Sequence, residues 1–231
     1  MAIANQPESA GNTPDPLGRT AAASVVMQLR RRIAAQTVAP GSRLREWDVA
    51  TEFGIPRLAA REVLDTLVHL GFVRREPNRG VLVQRRTIEE VLLLFDMREV
   101  NEGLCARLAA RNAAPTAWDD LLTLFGAPMQ AIVKAKDLHA YAGNYRRMHE
   151  RLIEVAASAP LADLLHRLND MTSIFGQRVL LLPDRPDQAL KEHRAVLQAL
   201  KRGDAEAAES ARRATIANVR GLVEKYAAFV M

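Results

Sequence analysis

One cysteine, Cys105, is all the chain contains, so no internal disulfide can form, and that fits a reducing compartment. No apolar run approaches the roughly 20 residues that cross a bilayer, so no membrane partner is expected. Residues 1–8 lack a basic region followed by an apolar core, so no secretory signal is read and a cytoplasmic location is expected. Hydrolase nucleophile motifs, a Walker loop, the Rossmann glycine pattern and HExxH are all missing. Their absence removes the usual sequence grounds for catalysis. No internal repeat is visible either.

What is present is unevenly spread. The 231 residues, 48% of them apolar, suffice for one or two domains with real cores. The net charge of +5 is concentrated in one region. Residues 19–86 hold 13 arginines, no lysine and six acids, a balance of +7, whereas residues 87–231 are neutral with 19 bases and 19 acids. A basic segment joined to a neutral one is the electrostatic footprint of a nucleic-acid-binding domain with a partner domain. The alternative is chance clustering on a solvated surface.

The stretch from Phe53 to Val73 decides between them. Gly54 supplies a turn, because glycine alone takes φ > 0 without strain. Val63, Leu64, Leu67 and Leu70 then recur at helical spacing, and Gly71 closes the helix. Arg57 and Arg61 are four apart and share one face. A short helix from Arg45 to Phe53 precedes the turn, with Trp47, Val49, Ala50 and Phe53 expected in its core. Helix, glycine turn and a second helix with arginines near its start make a helix-turn-helix, whose second helix enters the major groove. Phe72–Val73 and Val81–Val83 flank a tip containing Asn78, Arg79 and Gly80, which reads as a hairpin wing.

Residues 1–18 carry Pro7, Pro14, Pro16, Gly11 and Gly18 and are expected to form a disordered tail. A first helix is expected from Thr20 to Thr37. Thr87 and Glu90 fit a capping box. Helices follow at about 88–113, 117–135, 138–157, 160–181, 187–202 and 205–228, with Thr116, Asp137, Ser158 and Asp204 as caps and Pro128 kinking or breaking the second. The expected fold is mostly α: a winged helix-turn-helix with a small β-hairpin wing over 19–86, then an antiparallel helical bundle over 87–231.

These residues carry a family resemblance. Pro40–Glu46, Ile55–Leu64, Leu70–Val73 and Pro77–Val81 resemble the winged helix of GntR-type bacterial transcriptional regulators. Met97–Glu102, Met148–His149 and Glu192–Leu200 with Gly203–Asp204 resemble the all-helical effector domain of the FadR-like branch. The resemblance spans about residues 19–226 and implies a homodimeric, ligand-responsive regulator, with repression as the expected sign. It assigns contacts with double-stranded operator DNA to Arg45, Arg57, Arg61, Arg79 and Gly80. Arginine can grip phosphate or read guanine bidentately. The recognition helix departs from the family: Pro56 replaces a small hydroxyl and removes a side-chain cap, and Leu58 can touch only a thymine methyl.

Many relatives hold a divalent metal in the bundle through one Asp and three His. The matching positions here are Tyr145, His149, His193 and Thr215, so only two ligands survive. Three readings stay open. The first is a reduced zinc, nickel or manganese site on His149 and His193, completed by water or effector oxygens. The second is a metal-free effector pocket in which both histidines are joined by Tyr145 and Thr215 as hydrogen-bond donors. The third is histidines with no ligand. The second is preferred, so no cofactor is expected. Arg98, by resemblance, points into this pocket and binds the carboxylate of a small organic-acid effector, or else pairs with Glu102 one turn on. Two further functions compete with regulation by an effector: a metal-dependent bundle enzyme acting on an organic acid, and a DNA-binding protein that no longer responds to an effector.

Overall fold

The computed structural model describes residues 16–77 and 80–231. Its first helix, α1 (Pro16–Ala34), takes in the last three residues of the segment expected to be a tail. Proline suits a first helical position, where its missing N–H has no partner to lose. Residues 1–15 lie outside the described residues. Two compact units follow from the packing. Among the described residues, one comprises the chain up to Ile33 with Thr37–Gln84, the other Ala34–Gln36 with Arg85–Met231.

In the first unit, β1 (Arg43–Leu44) precedes α2 (Glu46–Phe53) and α3 (Arg57–His69), and β2 (Val73–Glu76) and β3 (Gly80–Val83) close it. Gly54, at φ 62°, makes the turn between the helices, and Gly71, at φ 78°, the exit from α3. The sheet is antiparallel in the order β1-β3-β2, with Leu44 opposite Val81 and Val73 opposite Val83. The two-residue strand β1 was not anticipated, since so short a run has no alternation to read. Val25, Leu29, Val49, Val63, Leu64, Leu67, Phe72, Val73, Val81 and Val83 form the core. Trp47, expected among them, is instead 67% exposed. It lies in the first turn of α2, and Val49 is the residue of that helix turned inward.

The second unit is built around α4 (Ile88–Asn112). Thr87 Oγ1 accepts from the Glu90 N–H at 3.3 Å and the Glu90 carboxylate accepts from the Thr87 N–H at 2.8 Å, completing the capping box. The single helix expected over 117–135 is broken into a 3₁₀ turn (Pro115–Trp118), α5 (Asp119–Leu124) and α6 (Ala127–Lys134). Gly126, with ψ −129°, makes the break, and Pro128 sits harmlessly in the first turn of α6. Thr116 lies inside the 3₁₀ turn and caps nothing. The remaining helices are α7 (Leu138–Ala156), α8 (Ala159–Val179), α9 (Arg185–Lys201), α10 (Ala205–Lys225) and the short α11 (Ala227–Val230). Asp137 and Asp204 cap α7 and α10 through their side chains, whereas Ser158 precedes α8 without a capping hydrogen bond. Tyr226 interrupts the helix expected to run on to 228.

Helix α4 packs against α7, α8, α9 and, most extensively, α10. Gly103 explains how closely α10 approaches. A Cβ placed there would lie 2.5 Å from Arg213 Cγ. The inward face of α4 carries Val91, Phe95, Arg98, Glu102, Cys105, Ala106 and Ala109. Two arginine and glutamate positions therefore interrupt an otherwise apolar stripe, and they mark the site.

Candidate functional site

In the first unit the named residues that are described are each exposed. Arg57, Leu58 and Arg61 stand on the side of α3 opposite its buried Ala60, Val63, Leu64 and Leu67. Pro56 occupies the N-cap position without a side-chain hydrogen bond. Arg57 Nε donates to the Glu46 carboxylate at 3.2 Å, which ties the first turns of α3 and α2 together, yet its side chain remains 75% exposed. Arg45 is exposed at the entry to α2. Gly80 opens β3 at φ 82°, with the Arg43 guanidinium beside it. Arg79, assigned to the wing tip with Asn78, lies outside the described residues.

The second unit buries a polar cluster drawn from five helices. On α4, Arg98 Nε and Nη2 donate to Glu102 Oε1 at 2.9 and 2.6 Å, and Arg98 Nη1 donates to Thr172 Oγ1 of α8 at 2.9 Å. The other Glu102 oxygen accepts from Arg212 of α10, through Nε at 2.7 Å and through Nη2. Arg212 Nη2 also donates to Tyr145 OH of α7 at 3.0 Å. The Tyr145 ring stacks on both imidazoles, with centroids 4.9 Å from His193 and 6.0 Å from His149. His193 Nδ1 pairs with Tyr141 OH at 3.1 Å. Thr215 is buried beside this group, but its hydroxyl donates to the Ala211 carbonyl of its own helix. Spacing explains the convergence: residues 98 and 102, residues 141, 145 and 149, and residues 212 and 215 each share one helix face.

Comparison with known proteins settles what this pair of units is. The gntR profile of bacterial regulatory proteins matches residues 21–83, and the FCD domain profile matches residues 93–218. The chain belongs to the GntR family, in its FCD branch. It is similar to the probable D-xylose utilization operon transcriptional repressor of Paenarthrobacter nicotinovorans, 27% identical over 84% of this chain and 85% of the relative. It is also similar to the galactonate operon transcriptional repressor of Escherichia coli K12, 25% identical over 84% of this chain and 93% of the relative. The fold matches the solved structure of E. coli McbR/YncC with a TM-score of 0.72, at 18% identity, covering 89% of this chain and 98% of that one. As a GntR-family member it is a DNA-binding transcriptional regulator rather than an enzyme.

The structure brings Arg98, Tyr145, His149, His193 and Thr215 of this GntR-family regulator, grouped in the sequence by the family resemblance, into one region. It also adds Arg212, Tyr141 and Thr172, which sequence reasoning passed over. Arg212 could have been found. It falls on the buried stripe of α10 with Ala208, Thr215, Ile216 and Val223, and an arginine at a core position is unusual. Arg98 has both predicted roles to reconcile, because its three nitrogens are already engaged by Glu102 and Thr172.

The donor set does not fit a divalent ion. His193 is committed to Tyr141, Tyr145 accepts from Arg212, and a guanidinium that is 1% exposed fixes a positive charge beside both imidazoles. Among the described residues no three His, Cys, Asp or Glu side chains come together as a metal site. Divalent ions favour neutral or anionic ligands, and here the charge is of the wrong sign.

Electrostatics follow from burial and pairing. Burial alone would raise the Glu102 carboxyl, but Arg212 and Arg98 outweigh it and hold it well below the ordinary range. Burial, reinforced by Arg212 and Arg185, pushes His193 well below the usual histidine value. Burial and then Glu102 push the Cys105 thiol up to about 12, which leaves it unreactive. The His193 shift has a direct consequence for stability. The unfolded chain binds the proton more readily, at about pH 6.5, so this contribution is complete above that pH and is lost as pH falls below it. The slope is at most about 1.4 kcal/mol per pH unit. Urea midpoints for wild type and His193→Gln between pH 7 and 5 are expected to show a flatter decline in the variant. Parallel declines would contradict it.

Proposed function

We propose that this regulator represses transcription as a cytoplasmic homodimer on a two-fold symmetric operator, and that a small organic acid held in the helical domain changes its affinity for DNA. Arg45, Arg57, Leu58, Arg61, Arg79 and Gly80 are the proposed DNA contacts. Arg98, Tyr145, His149, His193 and Thr215, joined by Arg212, are the proposed surroundings of the effector. The observation that carries the reading is the buried polar cluster. Three buried arginines face two acids, with Arg98 and Arg212 sharing Glu102 and Arg185 paired with Glu192, and a net positive charge of this kind favours an anionic ligand. The named repressors of the relatives, one for D-xylose utilization and one for galactonate, support sugar-derived ligands as the class to test first.

Dimerisation has its own support. Leu93, Met97, Val100 and Leu104 form an exposed apolar stripe along α4, spaced by three and four residues. Such a stripe suits a self-complementary two-fold contact. The test uses the full chain and an operator selected from random DNA. Light scattering should give a dimer, and one of a panel of organic acids should shift operator affinity by about 5- to 150-fold, the usual range of coupling between sites. A monomer on DNA would remove the symmetric reading. Operator affinity indifferent to every acid would leave a DNA-binding protein with a structural bundle.

A further inference from the structure

Among the described residues the two most exposed large apolar side chains are Trp47 and Leu58, each 67% exposed. Both lie in the DNA-binding unit, in the first turns of α2 and α3. Arg57 Nε and the Glu46 carboxylate, 3.2 Å apart, tie those two turns together, and Trp47 and Leu58 each follow one member of that pair. Neither helix uses them in packing: α2 turns Val49 inward, and α3 turns Ala60, Val63, Leu64 and Leu67. Tryptophan is highly buried on average, so a tryptophan and a leucine left bare at two tied helix ends mark a contact surface. Its surroundings are basic. Arg45 precedes α2, Arg61 lies three residues beyond Leu58 on the same face of α3, and both are exposed. The acids of α2's first turn are Glu46, held by Arg57, and Asp48, about 100° round the helix from Trp47. An apolar pair flanked by arginines fits a polyanion that also presents an apolar group, and in the major groove that group is the 5-methyl of thymine.

The geometry points to Trp47 and Leu58 as a joint apolar contact for one thymine of the operator, with Leu58 against the 5-methyl group and the Trp47 indole shielding that contact from water. This rests on reading α3 as the recognition helix, and it adds Trp47 and the chemical group that is read. Leucine has no donor or acceptor, so among the base edges only the methyl can hold it. Its place suits the task, because the N-terminal residues of a recognition helix reach base edges. The preceding helix of such a pair crosses the DNA backbone. That sets Trp47 at the edge of the groove, where a flat ring covers the sugar of the same nucleotide. Arginine reads guanine or grips phosphate, so none of the other proposed side-chain contacts selects thymine over cytosine.

The test begins with operators selected from random DNA by the full chain. Each thymine is then replaced singly by deoxyuridine, which lacks the methyl, and by 5-bromodeoxyuridine, whose apolar bromine is close to a methyl in size. At one thymine, or at it and its symmetry mate, deoxyuridine is expected to weaken binding by about fourfold, the worth of one buried methyl-sized group. The bromo base should restore the affinity. Leu58→Ala should bind the thymine operator more weakly and no longer distinguish it from the deoxyuridine one. Trp47→Ala should shrink the same difference. Both side chains are exposed, so neither variant should unfold, which thermal unfolding checks. Trp47 emission should change when operator is added, against a constant signal from the fully buried Trp118, and Trp47→Phe should lose the change. Several results overturn the pair yet leave the recognition helix to its arginines. They are an operator bound with no loss at any deoxyuridine, a loss undiminished in either alanine variant, or Trp47 emission indifferent to operator. Emission that shifts with protein concentration and not with operator assigns the pair to a contact between copies, and overturns it too. Failure to select any operator would overturn the DNA contacts and the pair together.

Discussion

Glu102→Gln is expected to destabilise the helical unit by about 3–5 kcal/mol, the cost typical of removing one partner from a buried ion pair. The substitution keeps the shape of the side chain and one oxygen acceptor, so no cavity enters the comparison. What it removes is the acid that Arg98 and Arg212 share. Two guanidiniums would then lie buried with no counter-charge. The burial of Arg212, 1% exposed, gives it no route to solvent without unpacking α10 from α4. Trp118 reports on this unit because it is fully buried in its core, whereas Trp47 is exposed in the other. Urea unfolding followed by the Trp118 signal is the measurement. A loss under about 1 kcal/mol would show that the cluster is not held by this carboxylate, since that is the range of exposed pairs.

For DNA, Arg57→Ala and Arg61→Ala are each expected to weaken operator binding by about 1–3 kcal/mol if the arginine reads a base. Neither should unfold the protein. Arg61 is exposed, and the Arg57–Glu46 pair is too exposed to matter much for stability. Salt dependence separates base from phosphate contacts: a lost phosphate contact lowers the slope of log K against log salt by about one, and weakens all sequences alike. Binding unchanged in both variants, against a confirmed wild-type operator, would mean that α3 is not the reading helix.

The sequence was most legible where backbone chemistry is local. Gly54, Gly71, the capping box at Thr87 and the caps at Asp137 and Asp204 each follow from one or two residues, and each stands in the structure as read. Errors arose where tertiary packing decides. Trp47 looked like a core residue by type, but its position in the first turn of α2 turns it to solvent. Thr116 looked like a cap, but a 3₁₀ turn encloses it. In the buried cluster, Tyr145, His149, His193 and Thr215 could be aligned because they fall at the positions of the family's ligand set. Arg212 matched no such pattern, and its importance appears only when Glu102 is seen to serve two arginines from different helices.

One property of α4 concerns how the bundle itself can move. The helix is a single rod of 25 residues, about 37 Å long, and its first residue follows the last strand of the DNA-binding unit after only a few positions. Its first turn is locked by the capping box, so it does not fray and absorb motion there. Midway along, Gly103 lets α10 bear directly on it, and one residue earlier Glu102 is gripped by Arg212 of that same α10. Any shift of α10 that loosens or tightens that grip is applied to the middle of a stiff shaft.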